Sequence, residues 1–123
     1  MNIRVLLMIT TIFLTASNAF AHEKPKGPHG GRVADAGQLH VELVAKGDVV
    51  EVYLTDSADK AIAAAGYKGL AILLIGGKSQ RITLEPASDN LLSGKAAEAL
   101  KGTPKGAVRI TGPDGKTSQA QFN

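Results

Sequence analysis

The sequence predicts an all-β domain: a small antiparallel β-sandwich or open barrel of about six or seven short strands, following a cleaved signal peptide. Three observations lead there. Leu39, Val41 and Leu43 alternate with Gln38, His40 and Glu42, and past Lys46-Gly47 the alternation resumes with Val50, Val52 and Leu54. The apolar run Leu70 to Ile75 is followed by Gly76-Gly77 and a second extended stretch, Ser79 to Leu84. Turn residues recur at a spacing of roughly ten residues along the rest of the chain.

The elements follow in order. Arg4, the mostly apolar run Val5 to Leu14 and the small-residue site Ala19-Phe20-Ala21 have the layout of a secretory leader over residues 1–21. The apolar run is short for a membrane span, and no later stretch is long enough to cross a bilayer. His22 to Gly31, polar and containing Pro25 and Pro28, reads as a flexible arm, with residues 32–123 as a single β domain. In the first hairpin, a two-residue loop at Lys46-Gly47 pairs Leu43 with Val50, Val41 with Val52 and Leu39 with Leu54. Any even loop keeps these apolar faces together. On the outer face the same register sets Glu42 opposite Glu51 and His40 opposite Tyr53.

Leu70 to Ile75 suggests a central strand covered on both sides, with its register left open. Ser93 to Leu100 reads as a short helical turn. Around Pro113-Asp114-Gly115, the apolar residues Val108, Ile110, Ala120 and Phe122 share one face only if the loop is odd, with Gly115 at positive φ.

Composition narrows function. The chain has 123 residues, room for one domain, with a net charge of +3, no Cys and no Trp. An exported domain without disulfides must stabilise itself by burying Val, Leu, Ile and Ala. Acidic and basic residues are interspersed, and no basic stripe interleaves with aromatics, so nucleic acid is not an expected partner. No nucleophile elbow, phosphate loop, H-E-x-x-H or paired-carboxylate motif occurs, and the expectation is a protein that is not an enzyme.

The histidines carry the chemical signal. Cleavage after Ala21 would make His22 the first residue, able to chelate an ion through its α-amine and Nδ1. His29 lies in the arm. His40 shares a strand face with Glu42, whose Cβ is roughly 7 Å away, a gap that a shared ion bridges. Glu42 and Glu51 facing each other would repel unless a cation or proton lay between them. The candidate metal ligands are therefore His40, Glu42, His29, His22 and Glu51. Both methionines, Met1 and Met8, leave with the leader, so no sulfur donor remains for Cu(I). Imidazole and carboxylate donors suit a divalent ion, Cu(II) or Zn(II).

Several segments carry a resemblance: Gly27-Pro28-His29-Gly30-Gly31-Arg32-Val33, Leu39-His40-Val41-Glu42-Leu43-Val44 and Val52-Tyr53-Leu54-Thr55-Asp56, then Leu84-Glu85-Pro86-Ala87, Asn90-Leu91-Leu92-Ser93-Gly94 and Asp114-Gly115-Lys116 through Ala120-Gln121-Phe122. Together they resemble small exported bacterial metal-handling β-domains and the N-terminal modules of heavy-metal efflux adaptor (membrane fusion) proteins. The resemblance implies a periplasmic or secreted domain that handles copper, zinc or a similar ion, sequestering it or handing it to an efflux adaptor, and it points to His29, His40 and Glu42. The chain departs from many such proteins in having only two histidines in its arm. The rival expectation is a metal-free interaction module that binds a protein partner by strand addition.

Overall fold

The structure, a computed structural model, describes residues 26–102 and 104–123. Residues 1–21, expected to be a leader, the expected cleavage site and His22 lie outside the described residues. Eight strands are present and, among the described residues, no helix: β1 (Arg32–Ala36), β2 (Leu39–Lys46), β3 (Val49–Thr55), β4 (Lys68–Ile75), β5 (Lys78–Ser88), β6 (Leu91–Lys95), β7 (Lys105–Thr111) and β8 (Thr117–Phe122). They form one antiparallel sheet in the order β1-β2-β3-β6-β5-β4-β7-β8. The sheet curls until its edge strands β1 and β8 lie side by side, giving a nearly closed barrel. The Arg32 guanidinium donates to the Asn123 carbonyl across that seam.

Period-two alternation builds the core. Val41 and Leu43 of β2, Val50, Val52 and Leu54 of β3, Ala71 and Leu73 of β4, Leu84 of β5 and Leu92 of β6 are fully buried, and Val108, Ile110, Ala120 and Phe122 close the other end. β5 serves both halves of the barrel. Its first part pairs with β4 and its last residues with β6, and a register shift between Pro86 and Ser88 marks the bulge at which it turns the corner.

The strand count exceeds the expectation because Arg32–Ala36 and Leu91–Lys95 are strands. The segment read as a helical turn from Ser93 thus begins inside β6. Gly94 explains why: β6 lies so close to β5 that a Cβ at Gly94 would come within 2.2 Å of the Thr83 carbonyl oxygen.

The first hairpin has the expected parity and a different register. Lys46 pairs with Val49 around a turn at Gly47-Asp48, so Leu43 faces Val52 and Val41 faces Leu54. Gly47 takes φ 59° and Asp48 does not take a positive φ, the pattern of a II′ turn with glycine first. The consequence corrects the outer face: Glu42 stands opposite Tyr53 rather than Glu51, and His40 opposite Thr55 rather than Tyr53. The last hairpin agrees with its reading. Thr111 pairs with Thr117 around a five-residue loop with Gly115 at φ 80°.

Candidate functional site

On the outside of β1, β2 and β3, the pairing aligns Asp35 with His40 and Thr55, and Val33 with Glu42 and Tyr53. Glu42 points away from the barrel core yet is only 4% exposed. What covers it is the segment expected to be flexible. Residues 26–31 form a tight turn tied by Gly30 N–H to the Gly27 carbonyl (3.0 Å) and Gly27 N–H to the Gly31 carbonyl (2.9 Å). The backbone N–H groups of His29 and Gly31 both donate to Glu42 Oε2, at 2.9 Å each. His29 Nδ1 lies 2.8 Å from Oε1. A carboxylate only accepts, so Nδ1 carries the proton and donates. Three donors thus offset the cost of burying the charge.

Glycine is required at this turn for closeness. A Cβ on Gly27 would stand 2.2 Å from Glu42 Cδ, and one on Gly31 would stand 2.3 Å from the Leu43 carbonyl oxygen. The His29 ring also stacks on Tyr53, with centroids 3.5 Å apart and planes 5° from parallel. The H-G-G and H-x-E segments are therefore two halves of one contact, with Glu42 holding the turn and the His29 ring through Nδ1, and with no partner for Nε2 among the described residues.

Glu51 is drawn elsewhere. Lys46 Nζ lies 3.0 Å from its Oε1, and the Tyr53 hydroxyl donates to its Oε2 at 3.3 Å. The Lys46 ammonium is held above its ordinary value by this hydrogen bond and by the charge of Glu51. The Tyr53 phenol is pushed above its ordinary 10.0 by burial first, then by the charge of Glu51 and their hydrogen bond. The neutral phenol is therefore favoured in the folded state. Its contribution to stability is complete below pH 10 and is lost as the pH rises through the raised value. Ultraviolet titration of tyrosinate should show Tyr53 ionising at higher pH in the folded than in the urea-unfolded chain.

His40 has two partners that the sequence reading did not single out. Its Nδ1 lies 2.8 Å from Asp59 Oδ1 and its Nε2 lies 3.3 Å from Asp35 Oδ1. Asp35 is its direct cross-strand partner around Gly37-Gln38, and the same pairing logic applied to that turn would have found it. Asp59 arrives by a long-range route. Asp56 Oδ1 accepts from the Ala58 and Lys60 N–H groups at 2.8 and 2.9 Å, and Asp59 N–H donates to the Asp56 carbonyl at 3.0 Å. This loop holds Asp59 at φ 61°, a left-handed conformation that Asp tolerates better than most residues. A groove of about 550 Å³ runs between the docked turn and this loop, lined by Pro28, Val33, Asp35, His40, Glu42 and Asp59.

The groove brings His40 and Glu42 together, with Glu42 already satisfied by the turn. Among the described residues, no three His, Cys, Asp or Glu side chains converge as a preformed metal cage. Also among them, no helix is long and apolar enough to cross a membrane. Because Asp35 and Asp59 are 79% and 82% exposed, their pairs with His40 are worth little in stability. His40→Ala should therefore shift the metal-free melting temperature by no more than about 5 °C. Loss of folding in that variant would make His40 a structural residue. In comparison with known proteins, no family model, no curated protein and no solved structure matches this chain.

Proposed function

We propose that this is an exported, non-enzymatic metal-binding domain, periplasmic or secreted, which sequesters a divalent ion or passes it to a heavy-metal efflux system. Copper or zinc, as Cu(II) or Zn(II), is the cargo. The observation that carries the reading is the His40 ring, which has a carboxylate on each nitrogen. A neutral imidazole has one N–H and one lone pair. Assigning the N–H to the nearer carboxylate, Asp59 at 2.8 Å, leaves the Nε2 lone pair toward the Asp35 carboxylate at 3.3 Å. A cation shared by the two groups relieves their repulsion, as a proton on the ring would. With metal bonds of about 2.0–2.1 Å, two ligands of one tetrahedral ion sit about 3.3 Å apart, matching this pair.

The roles then divide. His40 and Asp35 are ligands. Asp59 orients the ring as a carboxylate partner of a metal-bound histidine does. His29, held by Glu42 at Nδ1, offers Nε2 as a further donor, while Glu42 anchors the turn and Glu51 neutralises Lys46. His22 remains a candidate for a further ligand. Absence of cysteine favours borderline divalent ions over Cu(I), with Cu(II) bound more tightly than Zn(II). The resemblance to efflux adaptor modules supports the handover role. A strand-adding partner would have to part β1 from β8, so the face chemistry supports metal handling better than strand addition.

The test is calorimetric titration with Cu(II) and Zn(II). His40→Ala and Asp35→Asn should each weaken binding by about tenfold or more, and Asp59→Asn by about 10–100-fold. Affinity should fall on acidification, because proton and ion compete for Nε2. Binding as tight as wild type in His40→Ala would remove the site. No binding of either ion by the wild-type chain would favour the interaction-module reading.

A further inference from the structure

We propose that the outward face of β4, β5 and β7 docks an acidic amphipathic helix of a partner protein. The run Leu70 to Ile75 reads as a strand covered on both sides, and the barrel covers one. Ala71, Leu73 and Ile75 are buried in the core, whereas Leu70 and Ile72 are half-buried outside it and Leu74 is 52% exposed. No other strand among the described residues presents three aliphatic side chains in a row on its outer face. They rise along one line, spanning about 13 Å from Leu70 to Leu74, or about two and a half turns of a helix.

Charge selects the occupant. On β5, Ser79, Arg81 and Thr83 stand beside this stripe, and on β7, Lys105, Ala107 and Arg109 do. Lys68 lies at its start. Lys68, Arg81, Lys105 and Arg109 are exposed, and none forms an ion pair among the described residues. Glu85 is the one acid on the outward row of β5. An apolar line with cations on both flanks is complementary to a helix with an apolar stripe between two rows of carboxylates. A helix is also the ordinary second layer over an apolar sheet face. A second copy of this chain would meet the same positive charge. The face has no aromatic residue of the kind that anchors proteins at a lipid interface. At the Leu74 end, a cavity of about 200 Å³ beside Ile75, Ala99 and Leu100, with Glu98 and Lys101 on its wall, has room for one apolar anchoring side chain.

The test is an NMR titration of the purified chain, with chelator present so that metal binding plays no part. The probe is a synthetic three-turn helical peptide with leucines on one face and glutamates elsewhere. A peptide with lysine for every glutamate is the charge control, and phosphatidylglycerol vesicles are the lipid control. The acidic peptide should shift amide signals confined to β4, β5 and β7. Leu74→Asp and the double variant Arg81→Glu/Arg109→Glu, both altering exposed side chains, should keep the native spectrum and bind it at least about tenfold more weakly. The lysine peptide should bind about as poorly. Absent shifts, shifts on another face, or equal binding of the two peptides would overturn the proposal. Vesicle binding stronger than acidic-peptide binding would overturn it in favour of a lipid surface.

Discussion

Val41→Asp is expected to leave the chain unfolded at 25 °C, with no cooperative thermal transition and a collapsed amide spectrum. Val41 is fully buried in β2, paired with Leu54 and packed inside the barrel. The substitution loses about 1.5–3 kcal/mol of apolar burial. It also requires either an unpaired carboxylate in the core or its protonation, at several kcal/mol more. A domain of this size has only about 5–15 kcal/mol in total. Circular dichroism and heteronuclear NMR decide it. A native-like spectrum for Val41→Asp would mean that the inward and outward faces of β2 have been exchanged. The flanking positions make the contrast sharp, because His40→Ala, one residue away, should barely alter stability.

Glu42→Ala should undock the turn over residues 26–31 while the barrel persists. It removes the acceptor for the N–H groups of His29 and Gly31 and for the His29 ring. Those donors recover hydrogen bonds only by swinging into water, which exposes the outer side of β2 and separates His29 from Tyr53. The expected cost is about 2–3 kcal/mol, and a fall in melting temperature on the order of 10 °C. Hydrogen exchange should show the Gly31 amide losing its protection, and the His29 ring protons should lose the upfield shift caused by stacking on Tyr53. Gly31→Ala should reach the same undocked state by another route, because its Cβ collides with the Leu43 carbonyl. Continued protection of the Gly31 amide in Glu42→Ala would show that something other than the carboxylate holds the turn. Metal affinity in Glu42→Ala should fall less than in His40→Ala, because the carboxylate acts through His29.

Parity, more than register, was legible in the sequence. Alternation around Gly47 identifies which residues of β2 and β3 share a face, but a shift of two residues leaves every face unchanged. The turn at Gly47-Asp48 is selected instead by backbone conformation, since glycine at the first turn position takes φ 59° without strain. That shift separates Glu42 from Glu51, and with it the expected pair of facing carboxylates disappears. The odd loop before β8 was legible for the converse reason: four apolar residues, Val108, Ile110, Ala120 and Phe122, demand it. Residues 26–31 were not legible. Prolines and glycines alone read as a flexible arm, and what makes them a turn is a carboxylate from β2, supplied from 11 and 13 residues away. β6 was not legible either: the stretch from Ser93 reads as a helical turn, and what makes its start a strand is the β5 backbone lying against Gly94.

By itself, then, the sequence determined the all-β class, the alternating core of the β2–β3 and β7–β8 hairpins, and His40 and Glu42 on one outer strand face. All of these depend on periodicity within one strand or across one turn, where the side-chain repeat of two is enough. The tertiary structure decided that the sheet curls into a barrel with β1 beside β8, that Glu42 anchors the His29 turn, and that Asp59 meets His40 on the side opposite Asp35. These depend on contacts between segments with no shared periodicity. They become definite only when the barrel closes and brings loop, turn and strand within hydrogen-bonding distance.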